Sequence, residues 1–124
     1  MLHIQHVEKY TGFFVVSPIG SLDTTTYRQL ETILDMIIKS RPKSVVLDLT
    51  MLEYISSMGL RVIFKSKKTV QEQGGLLMLT NMQPAVKKIF DIAGAVDQDS
   101  VFASVEEADR YYDRLQKQMK EKGS

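Results

Sequence analysis

The sequence predicts a single α/β domain with a mixed sheet of four to five strands and about four helices. A strand-like stretch at residues 44–49 is followed by a helical stretch and a second strand-like stretch at residues 76–79. A strand, a helix and a strand in succession form a right-handed crossover between parallel strands. The length of 124 residues suits one domain of ordinary size. We expect the domain to span residues 1–116 and residues 117–124 to form a frayed tail.

The composition narrows the class of protein. Hydrophobic residues make up 44% and charged residues 25%, which is typical of a folded globular chain. The chain has 16 basic and 15 acidic side chains and a formal net charge of +1. Such a balance lacks the excess positive charge of nucleic-acid-binding proteins, so we expect no nucleic-acid partner. The chain has no cysteine, which excludes disulfide frameworks and thiol nucleophiles. Because no signal peptide and no run of roughly 20 apolar residues is visible, we expect a cytoplasmic protein with no membrane contact.

The amino-terminal stretch predicts a β-hairpin. Residues 2–8 alternate between apolar and polar side chains, which favours a strand at a sheet edge. Residues 10–12 are typical of a turn, and residues 13–16 predict a returning strand that stops near Pro18. The two histidines of the first strand point to opposite faces, so we expect no metal site there.

A helix follows this hairpin. Apolar side chains recur at spacings of three and four over residues 27–38, and Pro42 blocks its continuation. Asp23 or Thr24 is the expected N-cap, because both residue types accept hydrogen bonds from the first turn of a helix.

The most apolar stretch of the chain, residues 44–49, predicts a strand in the middle of the sheet with both faces covered. Asp48 interrupts this run. A carboxylate in a buried strand needs hydrogen-bond partners, which the loop around Ser56 and Ser57 would offer. The alternative is that Asp48 points into solvent at the end of the strand.

Two adjacent hydroxyls, those of Ser56 and Ser57, come just before a helical pattern that starts near Met58. The first backbone N–H groups of a helix lack intrahelical partners, and this end of the helix favours negative charge. A serine at this place is a helix cap, a phosphate acceptor, or both.

The last third of the chain continues the alternation of helices and strands. A double glycine at residues 74–75 ends the second helix and precedes the buried strand at residues 76–79. A short helix opens near Pro84. A short edge strand near residues 101–102 is followed by an amphipathic helix with Ser104 as its expected cap.

Several of these motifs together resemble the STAS domain of bacterial anti-sigma factor antagonists. The motifs are Val45-Val46-Leu47-Asp48-Leu49, Ile55-Ser56-Ser57-Met58-Gly59-Leu60, Gly74-Gly75 and the helix start Pro84-Ala85-Val86-Lys87. Gly20-Ser21-Leu22-Asp23 also matches the family pattern Gly-Xaa-Leu-Asp, whose Asp lies near the acceptor serine. The resemblance covers roughly residues 5–112.

The resemblance implies an anti-sigma factor antagonist that switches partners by phosphorylation. In that family the loop reads Asp-Ser-(Ser/Thr)-Gly-Leu, and an anti-sigma factor with serine kinase activity phosphorylates the first serine. Matching Gly59-Leu60 to the family's Gly-Leu makes Ser57 the expected acceptor, with Ser56 as the alternative. The unphosphorylated protein would bind the anti-sigma factor and free the sigma factor, and the phosphorylated protein would let go. A serine phosphatase is implied as a second partner.

The expected partner-binding residues are Asp23, Ser56, Ser57, Met58, Gly59 and Arg61. Arg61 belongs to an exposed basic face of the second helix, which suits an acidic partner surface. The sequence departs from the family at two positions, because Ser56 stands in place of the family's Asp and Met58 in place of its Ser or Thr. The second hydroxyl leaves the choice of acceptor open.

No catalytic constellation accompanies these serines. Both histidines lie far in sequence from Ser57, and Ile55 stands where a Gly-Xaa-Ser-Xaa-Gly elbow needs its first glycine. A glycine-rich phosphate loop is also missing. We therefore expect a non-enzyme without cofactor or metal. As an antagonist, the protein is expected to be a monomer or a weak dimer. Two alternatives stay open: a STAS scaffold subunit of a larger signalling assembly, and a STAS module that binds a small apolar or anionic ligand.

Overall fold

Strands and helices alternate along the chain in the computed structural model, which describes residues 1–93, 101–102 and 104–122. The elements are β1 (Leu2–Tyr10), β2 (Phe13–Leu22), α1 (Tyr27–Lys39), β3 (Ser44–Asp48), β4 (Leu52–Ile55), α2 (Ser57–Glu72), β5 (Leu76–Thr80), α3 (Pro84–Ala93), β6 (Val101–Phe102) and α4 (Val105–Lys122).

The sheet is mixed, with the strand order β1-β2-β3-β5-β6 and with β4 beside the far end of β2. β1 and β2 are antiparallel, and the other pairs are parallel. β1 lies at an edge and β3 in the middle, as the sequence predicts. The predicted fold class, a single α/β domain with a mixed sheet and four helices, is confirmed. The described residues form six strands rather than the predicted four to five, because β4 was not predicted.

The side chains of β3 alternate between two apolar layers. Val45 and Leu47 pack in the larger cluster, together with side chains of α1, α2 and α3. Val46 packs on the opposite face of the sheet, in a smaller cluster with Ala108 and Tyr112 of α4. Because both faces of β3 are covered, the strand is apolar at consecutive positions.

The second strand is longer than the sequence predicts. β2 runs through Pro18 to Leu22, although Pro18 was expected to end it. Proline lacks a backbone donor, but β2 pairs with β3 up to Val16 and with β4 only from Gly20. Pro18 therefore lies between the two parallel ladders and interrupts neither of them.

The start of α1 also differs from the prediction. Thr26 is the N-cap, and not Asp23 or Thr24. The backbone N–H of Tyr27 donates to the carbonyl oxygen of Asp23 at 2.9 Å. The hydroxyl of Thr26 accepts a hydrogen bond from the N–H of Asp23 at 2.9 Å. These bonds form a turn over residues 23–26 that precedes the helix. The N-cap therefore lies at Thr26, the last residue of the turn.

The final helix begins where the sequence predicts. The hydroxyl of Ser104 accepts a hydrogen bond from the N–H of Glu107 at 3.1 Å, so Ser104 is the cap. α4 then continues to Lys122, and residues 117–122, expected to be frayed, are helical. Good helix formers such as Gln, Lys and Glu extend a helix once packing has nucleated it. The domain boundary after residue 116 stays a prediction, and residues 123–124 lie outside the described residues.

Candidate functional site

The carboxyl ends of two neighbouring parallel strands bring the predicted site together. Leu22, the last residue of β2, is in register with Ile55, the last residue of β4. The backbone N–H of Ser56 donates to the carbonyl oxygen of Leu22 at 2.8 Å. Asp23 and Ser56 therefore open adjacent loops at one edge of the sheet.

Ser56 is the N-cap of α2. Its backbone is extended, with φ −90° and ψ 171°, and its Oγ accepts a hydrogen bond from the N–H of Gly59. The distance between these atoms is 3.3 Å, and Ser56 is half-buried. This hydroxyl satisfies one of the backbone donors that the first turn of a helix leaves without a partner.

Ser57 is the first residue of α2, one position before the predicted start at Met58. Its side chain is exposed, and its hydroxyl has no hydrogen-bond partner in the part of the chain that the structure describes. The two serines therefore differ, because Ser56 holds the helix terminus and the Ser57 hydroxyl is accessible. Met58, the next residue, is half-buried.

Gly59 lies where the start of α2 packs against the strand ends. A Cβ atom at this position would lie 2.7 Å from Cγ of Leu22 and 3.0 Å from Cγ1 of Ile55, and both side chains are fully buried. Contacts this short force the surrounding core to move. The glycine thus provides clearance between the helix and the two strands that carry the site.

Asp23 is half-buried, and its carboxylate is used within its own loop. Its Oδ1 accepts hydrogen bonds from the Thr25 hydroxyl at 2.7 Å, the Thr25 N–H at 2.8 Å and the Thr26 hydroxyl at 3.2 Å. The Thr25 hydroxyl, followed by the Thr25 N–H, lowers the pKa of Asp23 below its ordinary value. The site therefore carries a fixed negative charge beside the loop of the two serines.

Of the two alternatives for Asp48, the contact with the loop around the two serines is wrong. Its Oδ1 accepts hydrogen bonds from the Thr50 hydroxyl at 2.5 Å and from the Asn81 amide at 3.5 Å. Asp48 is half-buried at the end of β3, and β4 with its following loop lies beside β2 rather than beside β3. The carboxylate accordingly stabilises the turn that follows β3.

An open groove runs along α2 from the exposed serine. Its volume is about 510 Å³, and it is lined by Ser57, Leu60, Arg61, Phe64, Lys65 and Lys68. Arg61, one of the predicted partner-binding residues, lies one helical turn beyond Ser57 and is exposed. The structure thus brings Ser57 and Arg61 to one surface, close to the loop of Asp23.

Two exposed apolar side chains in the region of β4 were missed by the sequence analysis. Met51 is 57% exposed and Tyr54 is 50% exposed, just before and within β4. In β4, Leu52 and Ile55 are buried and the two residues between them are exposed. Strict alternation would have indicated a strand, but this stretch does not alternate, so its sequence did not predict which side chains face outward.

The described part of the chain offers neither a cluster of metal ligands nor a membrane-spanning helix. It contains no group of three or more His, Cys, Asp or Glu residues that could hold a metal ion. Among the same residues, no helix is long and apolar enough to cross a membrane. The absence of a cofactor and the cytoplasmic location stay predictions.

Comparison with known proteins identifies the family. The sequence profile of the STAS domain matches residues 5–108. The chain belongs to the STAS domain family. A relative in Bordetella bronchiseptica, BtrV, which is named as an anti-sigma factor antagonist, is 34% identical over 88 residues, covering 71% of this chain and 76% of BtrV. The anti-sigma F factor antagonist of Paenibacillus polymyxa is 29% identical over 89 residues, covering 71% of this chain and 76% of that protein.

Solved structures support the same assignment of the fold. The anti-sigma factor antagonist SpoIIAA in its unphosphorylated form has a TM-score of 0.76 at 21% identity, covering 92% of this chain and 96% of that one. The phosphorylated form of SpoIIAA from Bacillus has a TM-score of 0.71 at 20% identity, covering 91% and 99%. This STAS protein therefore belongs with the anti-sigma factor antagonists by sequence, and it shares their fold.

Proposed function

We propose that this STAS protein binds an anti-sigma factor with serine kinase activity while Ser57 is unmodified, and releases it once Ser57 is phosphorylated. The observation that carries the proposal is the contrast between the two adjacent serines. The hydroxyl of Ser56 is half-buried and caps α2, whereas the hydroxyl of Ser57 is exposed and lacks a partner among the described residues.

A kinase supplies the nucleotide, the metal ion and the base, and requires of its substrate only a hydroxyl that can reach the phosphate. Ser57 meets this requirement without any change of fold. Phosphorylation of Ser56 would first have to break its hydrogen bond to Gly59 and expose its hydroxyl. The geometry therefore favours Ser57 as the acceptor, and it requires no catalytic group from this chain, in keeping with a regulatory non-enzyme.

The effect of the phosphate follows from its charge and its position. A phosphoserine carries about −1.5 to −2 charges near neutral pH. The amino-terminal end of α2 favours that charge locally, so the fold tolerates the modification. A partner surface complementary to a neutral serine meets added bulk and negative charge, in a loop adjacent to that of Asp23. The affinity for the anti-sigma factor falls, and a serine phosphatase would restore it.

Site-localised mass spectrometry on the protein purified from its own cells tests this proposal. Wild type is compared with Ser57→Ala, and Ser56→Ala serves as the matched control because it removes the adjacent hydroxyl. We expect a phosphate on Ser57 that disappears in Ser57→Ala and remains in Ser56→Ala. A protein that stays unmodified across growth conditions, or a phosphate on Ser56 alone, would overturn the proposal.

The antagonist is expected to be a monomer or a weak dimer. A scaffold subunit would instead form a large, stable oligomer, and a ligand-binding module would retain a small molecule during purification. Sedimentation of the purified protein and native mass spectrometry separate these three functions. A large assembly at micromolar concentration, or a stoichiometric co-purified ligand, would replace the antagonist proposal.

A further inference from the structure

The groove that begins at Ser57, named the basic groove below, combines an apolar floor with a row of cations. Its floor contains Leu60, which is buried, and Phe64, whose ring packs edge-on against Phe90 of α3 with 5.8 Å between ring centroids. Phe64 is itself half-buried, so part of its ring faces the groove. The floor can therefore bury further apolar surface when a partner covers it.

The cations of the basic groove are Arg61, Lys65 and Lys68, which lie on one face of α2 because they are four and three residues apart. All three side chains are exposed, and none has a hydrogen bond or salt bridge among the described residues. Among the described residues, no carboxylate lines the groove, and the first turn of α2 has no acidic residue. Since the whole chain has a formal net charge of only +1, this positive strip is a local feature.

On the basis of the proposed function, we infer that the basic groove binds an acidic, amphipathic segment of the anti-sigma factor, and that a phosphate on Ser57 competes with this segment for Arg61. The floor accepts the apolar side chains of such a segment, and the row of cations accepts its carboxylates. The partner segment should therefore be acidic, because a neutral or basic segment would not complement the charge of the three cations.

The competition follows from the spacing of Ser57 and Arg61. Residues four apart are neighbours on a helix surface, and a negative group on the amino-terminal side of a positive one is the favourable order. A phosphate at Ser57 can accept paired hydrogen bonds from the guanidinium of Arg61. The partner segment would then lose its contact with Arg61. It would also meet about −1.5 to −2 additional charges at the same end of the groove.

The partner arm of the inference is tested by charge reversal in the unphosphorylated protein. Arg61→Glu with Lys65→Glu reverses two cations of the groove. Arg114→Glu with Lys117→Glu makes the same change on exposed positions of α4, which covers the opposite face of the sheet. We expect the groove pair to lose at least about tenfold in affinity for the anti-sigma factor and to lose its salt dependence, while the control pair changes little. Equal losses in both pairs would overturn the inference.

The phosphate arm needs no partner. Three proteins that carry phosphoserine at position 57 are titrated by ³¹P NMR: the otherwise wild-type protein, Arg61→Gln and the control Lys117→Gln. Asp23 is present in all three, so its effect cancels in the comparison. We expect the second phosphate pKa to rise by roughly 0.2 to 0.4 in Arg61→Gln alone, because the ion pair that favours the dianion is lost. Identical titrations of wild type and Arg61→Gln would contradict the competition.

The two proposals fail in different ways. A protein that binds no anti-sigma factor at all would defeat the proposed function, and the ³¹P titration would still decide whether Arg61 pairs with the phosphate. A protein that binds the anti-sigma factor equally well with and without the groove cations would defeat only the inference.

Discussion

The backbone N–H of Ser56 donates a 2.8 Å hydrogen bond to the carbonyl oxygen of Leu22, one step beyond the last register pair of β2 and β4. This bond continues the parallel ladder past the end of the sheet. It places Asp23, which follows Leu22, beside the loop of the two serines. Two motifs that are distant in the sequence thereby form one surface.

The different tasks of the two serines predict different effects on stability. Ser56→Ala removes the cap of α2 and should lower the free energy of unfolding by about 1 kcal/mol. Ser57→Ala removes an exposed hydroxyl without a partner and should change it by less than about 0.5 kcal/mol. Urea denaturation of both variants measures the difference. Equal losses would mean that the two hydroxyls share the capping role.

Gly59 should be required for clearance. In Gly59→Ala the new Cβ would lie 2.7 Å from Cγ of Leu22, so the free energy of unfolding should fall by about 1 to 3 kcal/mol. This loss is expected even though alanine is the better helix former.

A double-mutant cycle identifies the cause of that loss. Leu22→Ala alone creates a cavity and is destabilising by about 2 to 5 kcal/mol. If the clash is with Leu22, Gly59→Ala should cost much less in the Leu22→Ala background than in wild type. Strictly additive effects, measured by urea denaturation, would rule out that contact as the cause.

The sequence predicted the parts of this fold that depend on long, consistent patterns. The apolar run at residues 44–49 predicted the central strand, because a strand covered on both faces is apolar at consecutive positions. The repeat of apolar residues from 27 to 38 predicted α1. The loop motif located the start of α2 to within one residue.

The features that it missed depend on tertiary neighbours. β4 has four residues, of which only Leu52 and Ile55 are buried, so it shows no period. Pro18 is a sound local signal for the end of a strand, and it is overridden because β2 changes its parallel partner there. Which of two adjacent serines caps α2 is set by the bond from Ser56 to Leu22, which no local pattern of the sequence reports.

The ionisation of Asp23 predicts a pH dependence of stability. Its pKa in the folded protein lies below the ordinary value of 3.8, chiefly because of the Thr25 hydroxyl. The unfolded chain therefore takes up the proton first as the pH falls. The stabilisation from Asp23 is fully present above the ordinary pKa and is lost as the pH falls through the lowered one.

Denaturation of wild type and Asp23→Asn between pH 6 and pH 2 measures the contribution of ionised Asp23 to the free energy of unfolding. We expect the stability difference between the two proteins to shrink as the pH falls below the ordinary pKa of the carboxyl. Thr25→Ala keeps the carboxylate and removes its hydroxyl donor, so it should flatten the same part of the curve. A difference that stays constant over the whole range would show that the hydrogen bonds of Asp23 do not favour its charged form.

Ser57→Asp should affect stability and binding in opposite directions. A carboxylate in the first turn of a helix interacts favourably with the positive end of the helix dipole, typically by 0.3 to 1 kcal/mol. The variant should therefore be at least as stable as wild type in urea. Its affinity for the anti-sigma factor should nevertheless fall, because the carboxylate brings part of the charge of a phosphate to the partner surface. A loss of binding in a protein of unreduced stability cannot be attributed to misfolding.

Two further variants at position 57 separate charge from size in this loss of binding. Ser57→Asn has nearly the shape of Ser57→Asp without its charge, and Ser57→Ala removes the hydroxyl without adding bulk. If charge is the cause, calorimetric titration should give affinities near that of wild type for both. An equal loss in Ser57→Asn and Ser57→Asp would make bulk the cause, because the two side chains differ only in charge. Equal binding by Ser57→Asp and Ser57→Ala would instead show that the partner does not sense this position, and the switch would have to lie elsewhere on the surface.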